Sequence, residues 1–187
     1  MLVSSEAYVP QTGARARSAL RSALLVWGGL LLLSLAIVGL VVTAPVMRGG
    51  HETFAGTIYR AFSYLCHQIP ERSFHLAGHP LAVCARCTGI YSGFMLGVLA
   101  YPLARSLKRR DSPSRVWLLV AALPISADFL LGYSGLWANT HLSRLATGAF
   151  FGAVCAFFVV PGLVDIAQTL REKLSARRPG GASSRCA

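Results

Sequence analysis

The chain has 187 residues, of which 54% are hydrophobic and only 13% are charged, yet its formal net charge is +11. Soluble globular domains carry about 25% charged residues, so this composition favours a membrane protein. The basic residues are not interleaved with aromatic residues, as a stacking platform for nucleic acid would require. We therefore exclude nucleic acid as a partner and expect a lipid bilayer in its place.

Four apolar stretches are candidates for membrane spans, since about 20 apolar residues cross a bilayer core. The first is uncharged throughout and is longer than the apolar core of a signal peptide, about 7–15 residues. The second is shorter and rich in glycine, and we expect it to begin one turn earlier. The stretches are residues 23–46, 88–103, 116–132 and 145–164.

A short amphipathic helix is predicted between the first two spans, over residues 52–65, because Phe54, Ile58, Phe62 and Leu65 recur at helical spacing. Such a helix lies at the membrane interface. The predicted fold is therefore all-α: an integral membrane bundle of four helices with an outer helix and a loop containing Cys and His. The predicted organisation is a cytoplasmic segment 1–22, a membrane domain 23–166 with an outer cap 47–87, and a basic cytoplasmic tail 167–187.

The distribution of basic residues predicts the orientation. Of the 18 Lys and Arg residues, thirteen lie in the N-terminal segment, in the link between the second and third spans, and in the C-terminal tail. Positive residues stay on the cytoplasmic side. We therefore predict a multi-pass protein of the cell membrane with both termini in the cytoplasm and the cap outside.

The cap contains a cluster of potential metal ligands. Cys84 and Cys87 share a face at the start of a predicted helix, and Cys66 and His67 lie at the other end of a loop that can fold back towards them. Three thiols and an imidazole form a complete tetrahedral set for zinc. The sequence therefore predicts a zinc site at Cys66, His67, Cys84 and Cys87, with other loop histidines as alternative fourth ligands.

Two other interpretations of these cysteines remain open. Arg86 and a helix N-terminus beside the pair favour thiolate, so the cysteines could exchange electrons with a quinone held between helices, as in a membrane thiol–disulfide oxidoreductase. A structural disulfide from Cys66 to Cys84 or Cys87 is the third possibility, although it leaves one outer cysteine unpaired. Cys155 lies in the fourth span and Cys186 in the cytoplasmic tail.

Asp128 is the most informative charge within a span, because an intramembrane carboxylate costs about 2.5–3.5 kcal/mol on insertion scales and by default marks function. We predict a polar pocket containing Asp128, Asn139 and Arg144, with Arg86 as a further catalytic candidate, and we expect Asp128 to pair with Arg144. Glycines at four-residue spacing predict close packing of the second and fourth spans. Alternatively, these glycines join copies or partners in an accessory subunit: Gly89, Gly93, Gly97, Gly148 and Gly152.

The order of these residues resembles a known family. The first block is Cys66-His67-Gln68, Pro70, Arg72-Ser73-Phe74 and then the run from Cys84 to Tyr91; the second block is Pro124, Asp128, Asn139, Arg144, Thr147 and Gly148. Together they resemble the domain of unknown function 2085, a family of predicted bacterial and archaeal membrane proteins. This chain departs from that pattern at Phe129, where the resemblance predicts a glycine. The resemblance implies a membrane location and a cysteine site, and it implies no reaction.

Overall fold

The computed structural model describes residues 13–107 and 111–176, and within them the chain is predominantly helical. The helices are α1 (Gly13–Met47), α2 (Glu52–Ser63), α3 (Ala85–Ala104), α4 (Val116–Tyr133) and α5 (His141–Ala176). Between α2 and α3 lie a 3₁₀ turn (Pro70–Arg72) and two short antiparallel strands, β1 (His75–Leu76) and β2 (His79–Pro80).

Four helices in the described part of the chain are long and apolar enough to cross a membrane. These spans are Arg17–Met47, Ala85–Ala104, Val116–Tyr133 and His141–Leu174. The predicted all-α bundle of four spans is therefore confirmed, and the second span begins within the cysteine motif as expected.

The predicted domain boundaries at residues 22 and 167 both fall inside helices, because α1 begins at Gly13 and α5 continues to Ala176. Arginine is a good helix former, so a basic flank extends a span beyond the bilayer core without interrupting it. The predicted terminal segments are thus helical where they are described. Residues 1–12 and 177–187, including Cys186, lie outside the described residues.

The start of α1 lies beside the end of α5. The side-chain amide of Gln168 donates a hydrogen bond to the carbonyl of Ala19 at 3.3 Å, and Arg171 donates to the carbonyl of Ser18 at 3.2 Å. Farther along α1, the indole N–H of Trp27 donates to the carbonyl of Val98 in α3 at 2.7 Å. These contacts hold α1 against both α3 and α5.

Helices α3 and α5 pack through their glycines, as predicted. A Cβ placed on Gly93 would collide with the backbone of Ala149, and one placed on Gly152 would collide with the carbonyl of Ile90. A Cβ on Gly89, Gly97 or Gly148 would also come within 3.0 Å of an atom of the other helix. These glycines therefore bring α3 and α5 together within one chain.

The cap packs on the C-terminal end of α1. Ala55, Ile58 and Phe62 are the buried face of α2, and Ile58 and Phe62 join Val41 and Ala44 of α1 in a hydrophobic core. The other two residues of the predicted apolar stripe lie outside this core. Phe54 and Leu65 are 53% and 70% exposed, because Leu65 lies beyond the helix end and Phe54 lies on its outer face.

Candidate metal centre and adjoining cavity

The sulfur atoms of Cys66, Cys84 and Cys87 all lie within 4.8 Å of one another. Cys66 is buried, and the other two are partly buried. We call these three residues the cysteine cluster. It joins the end of α2 to the start of α3, so segments that are distant in sequence converge on one point.

Cys66 is positioned by a sharp change of direction after α2. Its N–H donates to the carbonyl of Phe62 at 2.9 Å, which ends the helix, and Gln68 then adopts a left-handed backbone with φ of 50°. The side-chain amide of Gln68 donates to the carbonyls of Tyr59 and Ala82 at 2.7 and 2.8 Å. This amide therefore fastens the chain after Cys66 to the chain before Cys84.

The loop between the two cysteine segments returns through a tight hairpin. Ala77 and Gly78 both have positive φ, at 51° and 79°, and a two-residue turn of this kind matches the twist of the strands on either side. The N–H of Leu81 donates to the carbonyl of Phe74 at 2.7 Å, and the hydroxyl of Tyr59 donates to the carbonyl of Pro80. The hairpin thereby brings the chain back to the cluster.

Cys84 is the N-cap residue of α3, and Cys87 lies within the first helical turn. The N–H of Cys84 donates to the sulfur of Cys66 at 3.3 Å. Hydrogen bonds from Cys66 and then Cys87 lower the pKa of the Cys84 thiol far below its usual range, although burial opposes this effect. The helix N-terminus also favours negative charge at this position, so the cluster favours at least one thiolate.

No histidine nitrogen in the described chain falls inside the 4.8 Å group. His67 is exposed, but it lines the cavity beside the cluster. His75 and His79 pair with neighbours in the hairpin, and the ring of His141 packs on Phe74 at 5.5 Å between centroids. The structure therefore brings together three of the four predicted ligands.

Asp128 pairs with Arg86 and not with Arg144, so the expected partner is wrong. The guanidinium of Arg86 forms a salt bridge with the Asp128 carboxylate, which also accepts a hydrogen bond from Ser143 at 2.9 Å. Asn139 donates to the backbone carbonyl of Asp128. Within the described residues no salt bridge joins Arg144 to Asp128, although Arg144 lies within electrostatic range of both Asp128 and Arg86. The salt-bridge partner of the Arg86 side chain is therefore Asp128, while the backbone of Arg86 is one of the groups that lower the pKa of Cys84.

A cavity of about 500 Å³ connects the cysteine cluster to this polar network. Its walls come from the cap and from the ends of α3, α4 and α5 that lie nearest to the cap. The residues that line it include the cysteine cluster, His67, Arg72, Arg86, Phe129, Asn139 and Arg144. Three of the four catalytic candidates, all except Asp128, thus line one cavity, and Asp128 contacts two of them.

Arg72 and Phe129 line this cavity, although neither was predicted as a site residue. The guanidinium of Arg86 lies 5.5 Å from the Phe129 ring centroid, in the range of a cation–π interaction. The sequence carried a signal for both. Arg72 belongs to the first quoted block, and Phe129 is the position at which the chain departs from the family pattern.

The fold and the site define a multi-pass membrane protein with a cysteine cluster at one end of the helix bundle. The family model described as a predicted membrane protein (DUF2085) matches residues 66–158, which include the whole cysteine cluster and the Asp128 network. The chain belongs to this DUF2085 family, as the sequence pattern indicated.

Two archaeal relatives support this assignment. An uncharacterized protein of Methanocaldococcus jannaschii is 36% identical over 104 residues, which are 56% of this chain and 67% of the relative. An uncharacterized protein of Methanothermobacter thermautotrophicus is 34% identical over 89 residues, which are 46% of this chain and 77% of the relative. No solved structure matches this chain.

Proposed function

We propose that this membrane protein binds one zinc ion at the cysteine cluster, with Cys66, Cys84 and Cys87 as thiolate ligands and His67 as the fourth ligand. The observation that carries the proposal is the convergence of three sulfurs within 4.8 Å from two separate segments. Tetrahedral zinc with Zn–S bonds of about 2.3 Å places its sulfurs about 3.8 Å apart. Shifts of at most about 1 Å would bring the cluster to this geometry.

His67 suits the fourth position because it follows Cys66 directly and its exposed imidazole lines the same cavity. Zinc bound in this way would fasten the end of α2 to the start of α3. Because the cap has a small core of its own, the metal-binding energy would contribute to the stability of the cap. The zinc site would thereby shape the polar cavity beneath it.

In this proposal the cap, residues 47–87, lies outside the cell membrane, and both termini lie in the cytoplasm. Two observations support the orientation. Thirteen of the 18 Lys and Arg residues lie in the terminal segments and in the link between α3 and α4, as the positive-inside rule requires. The contacts of Gln168 and Arg171 with the start of α1 also put the two terminal flanks at the same end of the bundle.

The test is the metal content of the full chain, purified under reducing conditions and measured by elemental mass spectrometry beside a free-thiol count. We expect about one zinc per chain and its loss on Cys66→Ser, Cys84→Ser or Cys87→Ser. Cys155→Ser is the matched control, since Cys155 is a free cysteine outside the cluster, and it should retain zinc. Retention of full zinc by His67→Asn would remove His67 from the ligand set.

A thiol–disulfide oxidoreductase is the second candidate, and the lowered pKa of Cys84 favours it, since thiolate is the attacking species in exchange. Two cluster thiols would be oxidised to a disulfide and would pass two electrons and two protons to a quinone, which the cavity of about 500 Å³ could hold. Metal-free protein in which two of the three cluster cysteines form a disulfide would replace the zinc proposal with this one.

A further inference from the structure

The cavity beside the cysteine cluster carries an excess of positive charge. Arg72, Arg86 and Arg144 all line it, and Asp128 neutralises only Arg86. Within the described residues, neither Arg72 nor Arg144 has a carboxylate within salt-bridge distance. A zinc ion would offset two of the three thiolate charges, so the cavity would stay positive with the metal bound. Such a cavity attracts an anion.

The position of these arginines in the helices indicates where that anion comes from. Arg86 is the second residue of α3 and Arg144 is the fourth residue of α5. Both therefore lie at the ends of membrane spans, which is the level of the lipid headgroups. This placement holds whichever side of the membrane the cap occupies.

An apolar groove of about 420 Å³ adjoins the cavity and shares Arg86 and Phe129 with it. Its remaining walls are Ile125, Ser126 and Leu130 of α4. These residues share one face of the helix with Phe129, so the groove runs from the arginines along α4 towards the bilayer core. A charged mouth above an apolar groove suits an amphiphile better than a soluble anion.

Two residues that line the cavity each have a buried polar atom without a hydrogen-bond partner in the described chain: Nε of Arg86 and Oδ1 of Asn139. Asn139 donates a hydrogen bond through Nδ2 to the Asp128 carbonyl. Its unpaired atom is therefore the amide oxygen, which accepts hydrogen bonds. A ligand that satisfies both atoms offers an acceptor oxygen to Arg86 and an O–H or N–H to Asn139. Buried polar groups are rarely left unpaired.

We infer that this cavity binds the headgroup of an anionic phospholipid, with the phosphate at the arginines, a headgroup hydroxyl at Asn139 and an acyl chain in the groove along α4. A phosphoglycerol headgroup supplies both chemical groups, whereas a choline headgroup supplies no hydroxyl and carries a cation. This inference depends on the cavity and not on a bound metal. A protein without zinc would leave the lipid proposal intact, and a protein that binds no lipid would leave the zinc proposal intact.

The test is native mass spectrometry of the full-length protein in detergent, titrated with phosphatidylglycerol and with phosphatidylcholine of the same acyl chains. We expect retention of one phosphatidylglycerol per chain with at least about tenfold preference. The Arg72→Gln/Arg144→Gln variant should lose this preference, since charge-assisted contacts to phosphate carry it. Arg60→Gln, an exposed arginine of the cap outside the cavity, should keep it.

Arg72→Gln alone is the second variant, because Arg72 is exposed in the loop and its replacement leaves the helix bundle intact; we expect a several-fold loss. Equal retention of the two lipids, or an unchanged preference in the double variant, would overturn the inference.

A further experiment adds inorganic phosphate to lipid-depleted protein. If phosphate alone raises the melting temperature as much as phosphatidylglycerol does, the cavity takes a free phosphate and the lipid assignment is wrong.

Discussion

The guanidinium of Arg86 reaches from the first turn of α3 to the carboxylate of Asp128 in α4 and forms a partly buried salt bridge. The Asp128 side chain is only 8% exposed and that of Arg86 is 21% exposed. Ser143 of α5 donates to the same carboxylate, so a single acidic group connects three spans at the end of the bundle that carries the cap.

The first prediction follows from that burial. Arg86→Gln and Asp128→Asn should each lower the free energy of unfolding by about 3–5 kcal/mol, because the remaining charge is left buried without its partner. The double variant should recover part of the loss. Measured in detergent as a double-mutant cycle, the two residues should show a coupling energy of at least about 1 kcal/mol.

Arg144→Gln is the matched control for that cycle, since Arg144 lies nearby without a salt bridge to Asp128 among the described residues. Its coupling energy with Asp128→Asn should be smaller than that of Arg86→Gln, because Arg144 interacts with Asp128 only at longer range. Strong coupling of Arg144 to Asp128, with no coupling of Arg86 to Asp128, would contradict the salt bridge between Arg86 and Asp128.

The sequence predicted the helices well because the signals are local. The length of an apolar run and the spacing of glycines specify a span and its packing face without reference to the rest of the chain. This reasoning located the four spans and the contact between α3 and α5. Helices α1 and α5 extend beyond the predicted spans, because hydropathy marks only the apolar part of a helix and basic flanks can continue it.

The partner of Asp128 could not be chosen from the sequence. Arg86 and Arg144 both lie at the N-terminal start of a span, and both have side chains long enough to reach a carboxylate. The choice depends on how α3 is rotated about its axis, and the close approach of Gly89 and Gly93 to α5 fixes that rotation. The sequence also indicated that Cys66 could return to Cys84 and Cys87, which the structure shows, but it gave no means of choosing a fourth ligand among the loop histidines.

The second prediction concerns the packing of α3 on α5. Gly152→Ala should lower the free energy of unfolding by at least about 1–3 kcal/mol, because the added methyl group would collide with the backbone of Ile90. Gly162→Ala in the same helix is the control, since its Cβ meets nothing within 4 Å. There the substitution should be neutral or stabilise by up to about 1 kcal/mol through helix propensity. Equal effects at the two positions, measured by thermal unfolding, would contradict the close approach.

The third prediction tests the proposed orientation. After reduction and metal chelation, a membrane-impermeant maleimide applied to intact cells should label Cys66, Cys84 and Cys87. It should not label Cys186, because the tail carrying it is predicted to lie in the cytoplasm. A variant that retains only Cys186 should react only after the cells are permeabilised. Labelling of this variant in intact cells would reverse the orientation.

The last prediction is the pH dependence of metal binding. Cysteine binds zinc as thiolate, so protons compete with the metal wherever the ligand thiols are protonated in the free protein. In a titration against a competing chelator, the apparent dissociation constant for zinc should therefore rise by at least about tenfold when the pH is lowered from 8 to 7. Ligation by neutral histidine alone would give little change in this range, because imidazole titrates near pH 6.5.

Cys155→Ser should leave the pH dependence of the dissociation constant unaltered, whereas Cys87→Ser should weaken zinc binding and reduce that dependence. A dissociation constant that stays constant from pH 7 to 8 would exclude the cysteine cluster as the zinc ligand set.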